Sequence, residues 1–314
     1  MPLNYNNISP SASLRLKYSE ATIRNTLTRA TALNRGSTID IPCDWYVHLP
    51  LRKSYYGTGV SETFRRDFYF ELLETCLLGK DYKVYLHDPG IYYVAIPNFN
   101  SVTFPRKFDV FLEPTFIATL RSNIQDRSKT DFFIGANGPW FDKSGNLYGK
   151  AYSEGALQTV TSSVPGNTSL MYVQWNSPNT LTLDIGEASG GDGFSSLPKF
   201  IIDGDIQNID DVRSKPGVGR HIFAYHPAKD LVFIIVRENE LKNTANFNID
   251  EVAEMLVFLG FKKAAFFDGS TSVYLYEYNY KGEGRTIIDC LTTGKNIALD
   301  LGYGIKKDNT ATSD

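Results

Sequence analysis

The feature that most constrains this chain is a succession of short runs rich in Val, Ile, Tyr and Phe, each soon cut off by Gly, Pro or Asp. YKVYLHD (from Tyr82), IYYVAIP (from Ile91), FDVFLEP (from Phe108) and TFIATL (from Thr115) follow one another in this way, and a second such stretch covers 131–183. Runs of about four to eight β-branched and aromatic residues between turn formers are strands, because a helix of that length buries too little to persist. The 19 Tyr, 20 Phe and 25 Gly supply the strands and the turns alike. Further on, FIIDGDI (Phe200 to Ile206) reads as two short strands meeting at Asp203-Gly204, and HIFAYHPAKDLVFIIV (His221 to Val236) as a hairpin whose turn holds Pro227 and Asp230.

Two segments read as helices. Residues 61–80 place Phe64, Phe68, Leu72, Leu73, Cys76 and Leu77 at helical spacing, with Ser61 to cap and Gly79 to stop. The second has Asn248 as cap with Glu251 three residues on, a stripe of Val252, Met255, Leu256 and Leu259, and Gly260 to close it. It leads into FKKAAFF, a strand that ends at Asp268-Gly269. GEASGGDGFSS (Gly186 to Ser196) is so rich in glycine that it reads as a flexible loop, or as a lid over a site.

The expected fold is α+β: a mixed, largely antiparallel sheet flanked by a few helices, with an N-terminal extension. Residues 1–80 form that extension, a docking region with one amphipathic helix. Residues 81–305 form the main domain and 306–314 a polar tail. Residues 1–40 carry five Lys/Arg against two acids and too few apolar residues for a core of their own, which suits an arm that packs on the body or on a larger protein assembly.

Composition excludes several classes. With 32 Lys+Arg against 35 Asp+Glu the chain has no field to gather polyanions, so no nucleic-acid partner is expected. No run approaches the ~18 apolar residues of a membrane span. The opening MPLNYNNISPSASL lacks a basic region followed by an apolar one, so no signal peptide is expected, and the chain would be cytoplasmic, or virion-associated if phage-encoded. Cys43, Cys76 and Cys290 form no CxxC pair, and with four scattered His they give no metal pattern; neither metal nor cofactor is expected.

Three segments carry more chemistry than folding needs. Gly135-Ala136-Asn137-Gly138-Pro139-Trp140-Phe141-Asp142 follows the apolar Phe132, Phe133 and Ile134, and puts an amide, an acid and two glycines at a strand end. Gly217-Val218-Gly219-Arg220-His221 sets a guanidinium at the mouth of a strand, where glycines leave room for an anion. Asp268-Gly269-Ser270-Thr271-Ser272 offers a carboxylate, three hydroxyls and several N–H groups after a helix and a strand. Each by itself is also an ordinary turn or a surface Arg.

In this order the segments resemble the phosphodiester glycosidase family, including its bacterial and phage relatives. Asn137-Gly138-Pro139-Trp140-Phe141 stands where the family has an Asn-Gly-Gly-Phe-Phe-like turn, with Gly145 and Gly149 at the spacing of its next glycines. FIIDGDI matches its strand with an Asp-Gly turn, and Arg220-His221 stands at its Arg-Thr. Glu251, Ala253, Glu254 and Leu256 match its E-x-A-E-x-L helix, and Asp268-Gly269-Ser270-Thr271-Ser272 its Asp-Gly-Gly-Gly-Ser turn. The resemblance covers roughly residues 130–303. Pro139, His221, Ser270 and Thr271 depart from the family pattern.

The resemblance implies a hydrolase that cleaves the sugar–oxygen bond of a sugar 1-phosphodiester, in a glycan or cell-envelope polymer, and releases sugar and phosphomonoester. Asp268 would be the nucleophile or the base that activates water, Arg220 the phosphate clamp, and Asn137 a residue that orients sugar or water. Asp142 would be the second carboxylate, ahead of Glu238. Gly138, Gly269, Ser270, Thr271 and Ser272 would hold the substrate. Trp140 would stack on a sugar or join the core, and His221 would supply a proton or act as a hydrogen-bonding residue. The alternative is a non-catalytic module that binds a phosphorylated glycan within a larger assembly, such as a phage particle.

Overall fold

The computed structural model describes residues 31–33, 35, 45–54, 61–72, 83–87, 91–97, 106–113, 132–139, 148–153, 155–159, 170–176, 180–207, 219–229, 231–237, 249–269, 273, 275–279, 284–288 and 300–307. Within them the chain forms twenty strands and one α-helix, and nearly every strand pairing is antiparallel. The largely antiparallel pairing is as expected, and one of the expected helices lies among the described residues.

The largest sheet has ten strands. From one edge come β1 (Thr31–Ala32), β2 (Trp45–Ser54), β3 (Ser61–Leu72), β4 (Lys83–His87) and β5 (Ile91–Pro97). They continue into β16 (Leu231–Arg237), β15 (Arg220–His226), β17 (Lys263–Phe266), β13 (Lys199–Ile202) and β14 (Asp205–Ile206). β1 and β2 are parallel. A second sheet has the order β11 (Thr180–Ile185), β10 (Met171–Asn176), β12 (Asp192–Leu197), β8 (Ala151–Ser153) and β9 (Ala156–Thr159). The third runs β19 (Gly284–Ile288), β18 (Leu275–Asn279), β7 (Phe132–Asn137), β20 (Asp300–Lys307) and β6 (Arg106–Glu113).

The helix α1 (Ile249–Phe258) buries Val252, Met255, Leu256 and Leu259, the stripe read from the sequence, and packs against β13, β14 and β2. It ends as a glycine-closed helix should. Gly260 takes φ 90° and its N–H donates to the Val257 carbonyl at 3.0 Å, while the Phe261 N–H reaches back to the Leu256 carbonyl at 2.9 Å. The helix therefore stops one short turn before β17, which it feeds.

Residues 61–72 correct the helix expected over 61–80. They form β3, paired along its length with β2 from Ser54↔Ser61 to Trp45↔Phe70. Phe64, Phe68 and Leu72 are four apart, and a spacing of four satisfies a period of 2 as well as one of 3.6. Phe70 extends the two-residue alternation, and a partner strand decides the ambiguity. Residues 73–80 lie outside the described residues, as do 115–120 and Asn248. β3 and β4, on either side of residue 80, pair in one sheet.

The glycine-rich segment is also corrected in part: Asp192–Leu197 is a strand, and only 186–191 is a loop. Two of its glycines serve close strand packing. A Cβ on Gly193 would sit 2.4 Å from the Val173 carbonyl oxygen, and one on Gly191 would overlap the Trp175 carbonyl. The loop is tied down by the Ser189 N–H to Gln174 Oε1 and by the Ala188 N–H to Ser195 Oγ, both at 2.8 Å.

The hairpin at Asp203-Gly204 forms as read. φ values of 52° and 91° are those of a type I′ turn, whose twist matches the flanking strands. Space around Gly204 is open, so only backbone strain opposes a side chain there. Gly204→Ala should destabilise the fold by about 1–2 kcal/mol in denaturant titrations. Gly190→Ala, with open space and no positive φ, should stay within about 0.5 kcal/mol of the parent.

Candidate functional site

Of the three marked segments, one enters β15 and another begins just past the end of its neighbour β17 in the ten-stranded sheet. β15 and β17 are antiparallel with Ile222 opposite Phe266, and the Phe267 N–H donates to the His221 carbonyl at 2.9 Å. The register therefore runs on past the end of β17 and sets Arg220 opposite Asp268. Alternation places His221 and Phe267 on one side of this pair of strands, and Arg220 and Asp268 on the other.

The third segment arrives from a different sheet. Asn137 ends β7, and where β17 has finished, the chain after it takes a new neighbour: the Asp268 N–H donates to the Gly138 carbonyl at 2.9 Å. In return the Asn137 side-chain amide donates to the Asp268 carbonyl at 2.6 Å. Both polar groups of the Asp268 backbone are thus engaged by Asn137-Gly138, although 131 residues separate Asn137 from Asp268. The chain that leaves Asp268 then enters β18, whose Leu275 pairs with Ala136 beside Asn137.

Gly269 and Gly219 seal the junction. A Cβ on Gly269 would lie 2.7 Å from the Gly219 carbonyl oxygen and 3.9 Å from the Arg220 Cα. The two backbones touch where a side chain would hold them apart, so this glycine is needed for proximity. Arg220, half-buried, donates from Nη1 to the Gly219 carbonyl at 3.0 Å, which fixes the guanidinium against its own strand end. Asn137 and Asp268 are also half-buried, and Gly138 is buried.

His221 and Phe267 form the underside of the site. Their rings stack with centroids 4.6 Å apart and planes 24° from parallel. The Phe194 ring from β12 meets Phe267 edge-on at 5.2 Å, and Phe223 packs at 5.7 Å. His221 has no exposed surface. Burial pushes its imidazole down to about 3, opposed only in part by a hydrogen bond to the Asn137 backbone. It is a neutral interior ring at physiological pH. The surroundings fit the hydrogen-bonding role and not the proton source at neutral pH.

Asn137, Gly138, Arg220, His221, Asp268 and Gly269 thus come together. Trp140, Asp142, Glu238, Ser270, Thr271 and Ser272 lie outside the described residues. Among the described residues no cluster of three or more His, Cys, Asp or Glu gathers as for a metal. The sequence reading passed over Gly219 as a contact surface and Phe267 as the anchor. The Phe266-Phe267 doublet directly before Asp268-Gly269 was the available signal, since a buried aromatic at a strand end fixes the course of the chain beyond it.

Two substitutions probe this packing. Gly269→Ala should lose about 1–3 kcal/mol in chemical unfolding, because a packed backbone contact must open. For His221, the unfolded state takes up a proton near 6.5 while the folded state does so only near 3. Its contribution to stability is therefore present above pH 6.5 and lost as pH falls toward 3. Stability measured between pH 6.5 and 4 should fall by up to about 1.4 kcal/mol per pH unit more steeply than in His221→Asn.

No family model matches the chain, and no curated protein matches its sequence. Among solved structures, the fold is similar to the catalytic domain of zebrafish N-acetylglucosamine-1-phosphodiester alpha-N-acetylglucosaminidase, auto-inhibited by its pro-peptide. The TM-score is 0.45 at 11% identity, over 88% of this chain and 86% of that one. A hypothetical protein from Synechocystis matches with TM-score 0.43 at 10% identity, over 83% of this chain and 68% of that one.

Proposed function

We propose that the chain is a hydrolase of sugar 1-phosphodiesters, acting where Asn137, Arg220 and Asp268 meet. The observation that carries this reading is the double bridge between Asn137-Gly138 and the Asp268 backbone, with Arg220 opposite Asp268 in register. Three motifs that resemble one family in their order, and that lie far apart in sequence, have their backbones beside one another, which supports reading their carboxylate, guanidinium and amide as one site.

The chemistry suits those groups. Cleavage breaks the bond between the anomeric carbon and the bridging oxygen, and that oxygen leaves with the phosphate. A phosphomonoester has a second pKa of about 6, so it departs near neutral pH with less need of a proton than an alcohol. Arg220 would neutralise the charge that develops on it, its planar fork matching two phosphate oxygens. Asp268 would attack the anomeric carbon, or take the proton from the water that does. Asn137 reaches its amide across to the Asp268 backbone, so its part is to hold the carboxylate's backbone in place beside the sugar.

The test is release of free sugar from alkyl phosphodiesters of glucose 1-phosphate and N-acetylglucosamine 1-phosphate. Asp268→Asn should lower kcat by about 10²–10⁴-fold, and Arg220→Ala should lower kcat/KM by about 10²–10³-fold. The anomer released first, followed by NMR, separates the two roles of Asp268: retention for a nucleophile, inversion for a base. A wild-type protein that binds these esters without releasing sugar would be a phosphoglycan-binding module instead.

A further inference from the structure

The side chain at position 221 touches every segment of the site without facing its open side. It is the neighbour of Arg220 in β15, it is hydrogen-bonded to the backbone of Asn137, and its ring stacks on Phe267, the residue before Asp268. These contacts are of different kinds. The ring stack sets the height of Phe267 against β15, and the hydrogen bond sets the end of β7 against the same strand. The ring is fully buried, Nδ1 has no hydrogen-bond partner among the described residues, and the hydrogen bond that the ring does make goes to a residue of the site.

We infer that His221 is a positioning residue for the proposed hydrolysis, joining the Arg220, Asn137 and Asp268 segments through one buried ring. This rests on the proposed function and adds a role to it that is particular to this chain, since His221 stands where the resembling family has Thr. The ring itself exchanges no proton with substrate. It acts on the distance between Arg220 and Asp268 on the opposite side of the strand pair, and on the angle at which Asn137 meets them. Geometry held to within about half an ångström matters at such sites, and a misplacement of about 1 Å can cost 10²-fold in rate.

Two substitutions separate the contacts. His221→Phe keeps a ring to stack on Phe267 and removes the hydrogen bond to Asn137. His221→Gln keeps a side-chain N–H and removes the ring. Steady-state kinetics on the two alkyl phosphodiesters, over a range of pH, read the result. His221→Phe should lower kcat at least tenfold, with KM within about threefold of the parent and both limbs of the pH profile in place. His221→Gln should recover part of that loss, because the link to Asn137 is restored.

Two results would overturn the inference alone: a folded His221→Phe protein with the parent's kcat, or a variant profile that has lost one limb. The second would make His221 a proton donor or acceptor. If His221→Phe does not fold, the kinetics of His221→Gln decide by the same criteria. A wild-type protein without turnover on these esters removes the proposed function, and this inference with it.

Discussion

The end of β17 is the point on which the site depends. Phe267 is packed between His221 and Phe223 of its own sheet and Phe194 of another, and the next residue, Asp268, has both backbone polar groups engaged by Asn137-Gly138. Burying a Phe ring is worth about 1.5–3 kcal/mol, and each backbone hydrogen bond about 1. The ring and the two hydrogen bonds are therefore of comparable worth, and the directional hydrogen bonds also set the register. The ring fixes the chain beyond β17 at the place where β7 meets it, and the pairing of β18 with β7 holds the same junction from the other side.

The contacts described at this junction are rings and hydrogen bonds. An ion pair links two sheets elsewhere: Lys263 of β17 meets Asp184 of β11 at 2.8 Å, and the ammonium holds that carboxyl below its ordinary range. Both groups are substantially exposed, and such pairs contribute about 0–1 kcal/mol. At the candidate site, by contrast, the histidine is neutral and the backbones of two glycines lie too close for a side chain. Under the proposed function, a near-neutral chain would meet a phosphate with one placed guanidinium and not with a basic surface.

Strand alternation then converts packing into a candidate site. Once His221 and Phe267 are committed to the interior, Arg220 and Asp268 must face the other way. Gly269 and Gly219 let the two strand ends close, and Arg220 is anchored by a bond to its own strand's start. The residues that would do chemistry are positioned by residues that would do none.

Local pattern by itself determined the elements whose signals are local: the strands β4 to β6, the Asp203-Gly204 hairpin, the β15–β16 hairpin, and the α1 stripe with its closing glycine. It also marked Asn137, Arg220 and Asp268 as unusual. Tertiary structure alone decided the rest. The 64–68–72 spacing fits two periodicities, and only the pairing with β2 chose the strand. The glycines at 191 and 193 look like loop residues until the carbonyls of Trp175 and Val173 are seen against them. The fate of His221 turned on burial, which no neighbour in sequence specifies, because the rings that remove it from water come from β17 and the hydrogen bond from β7.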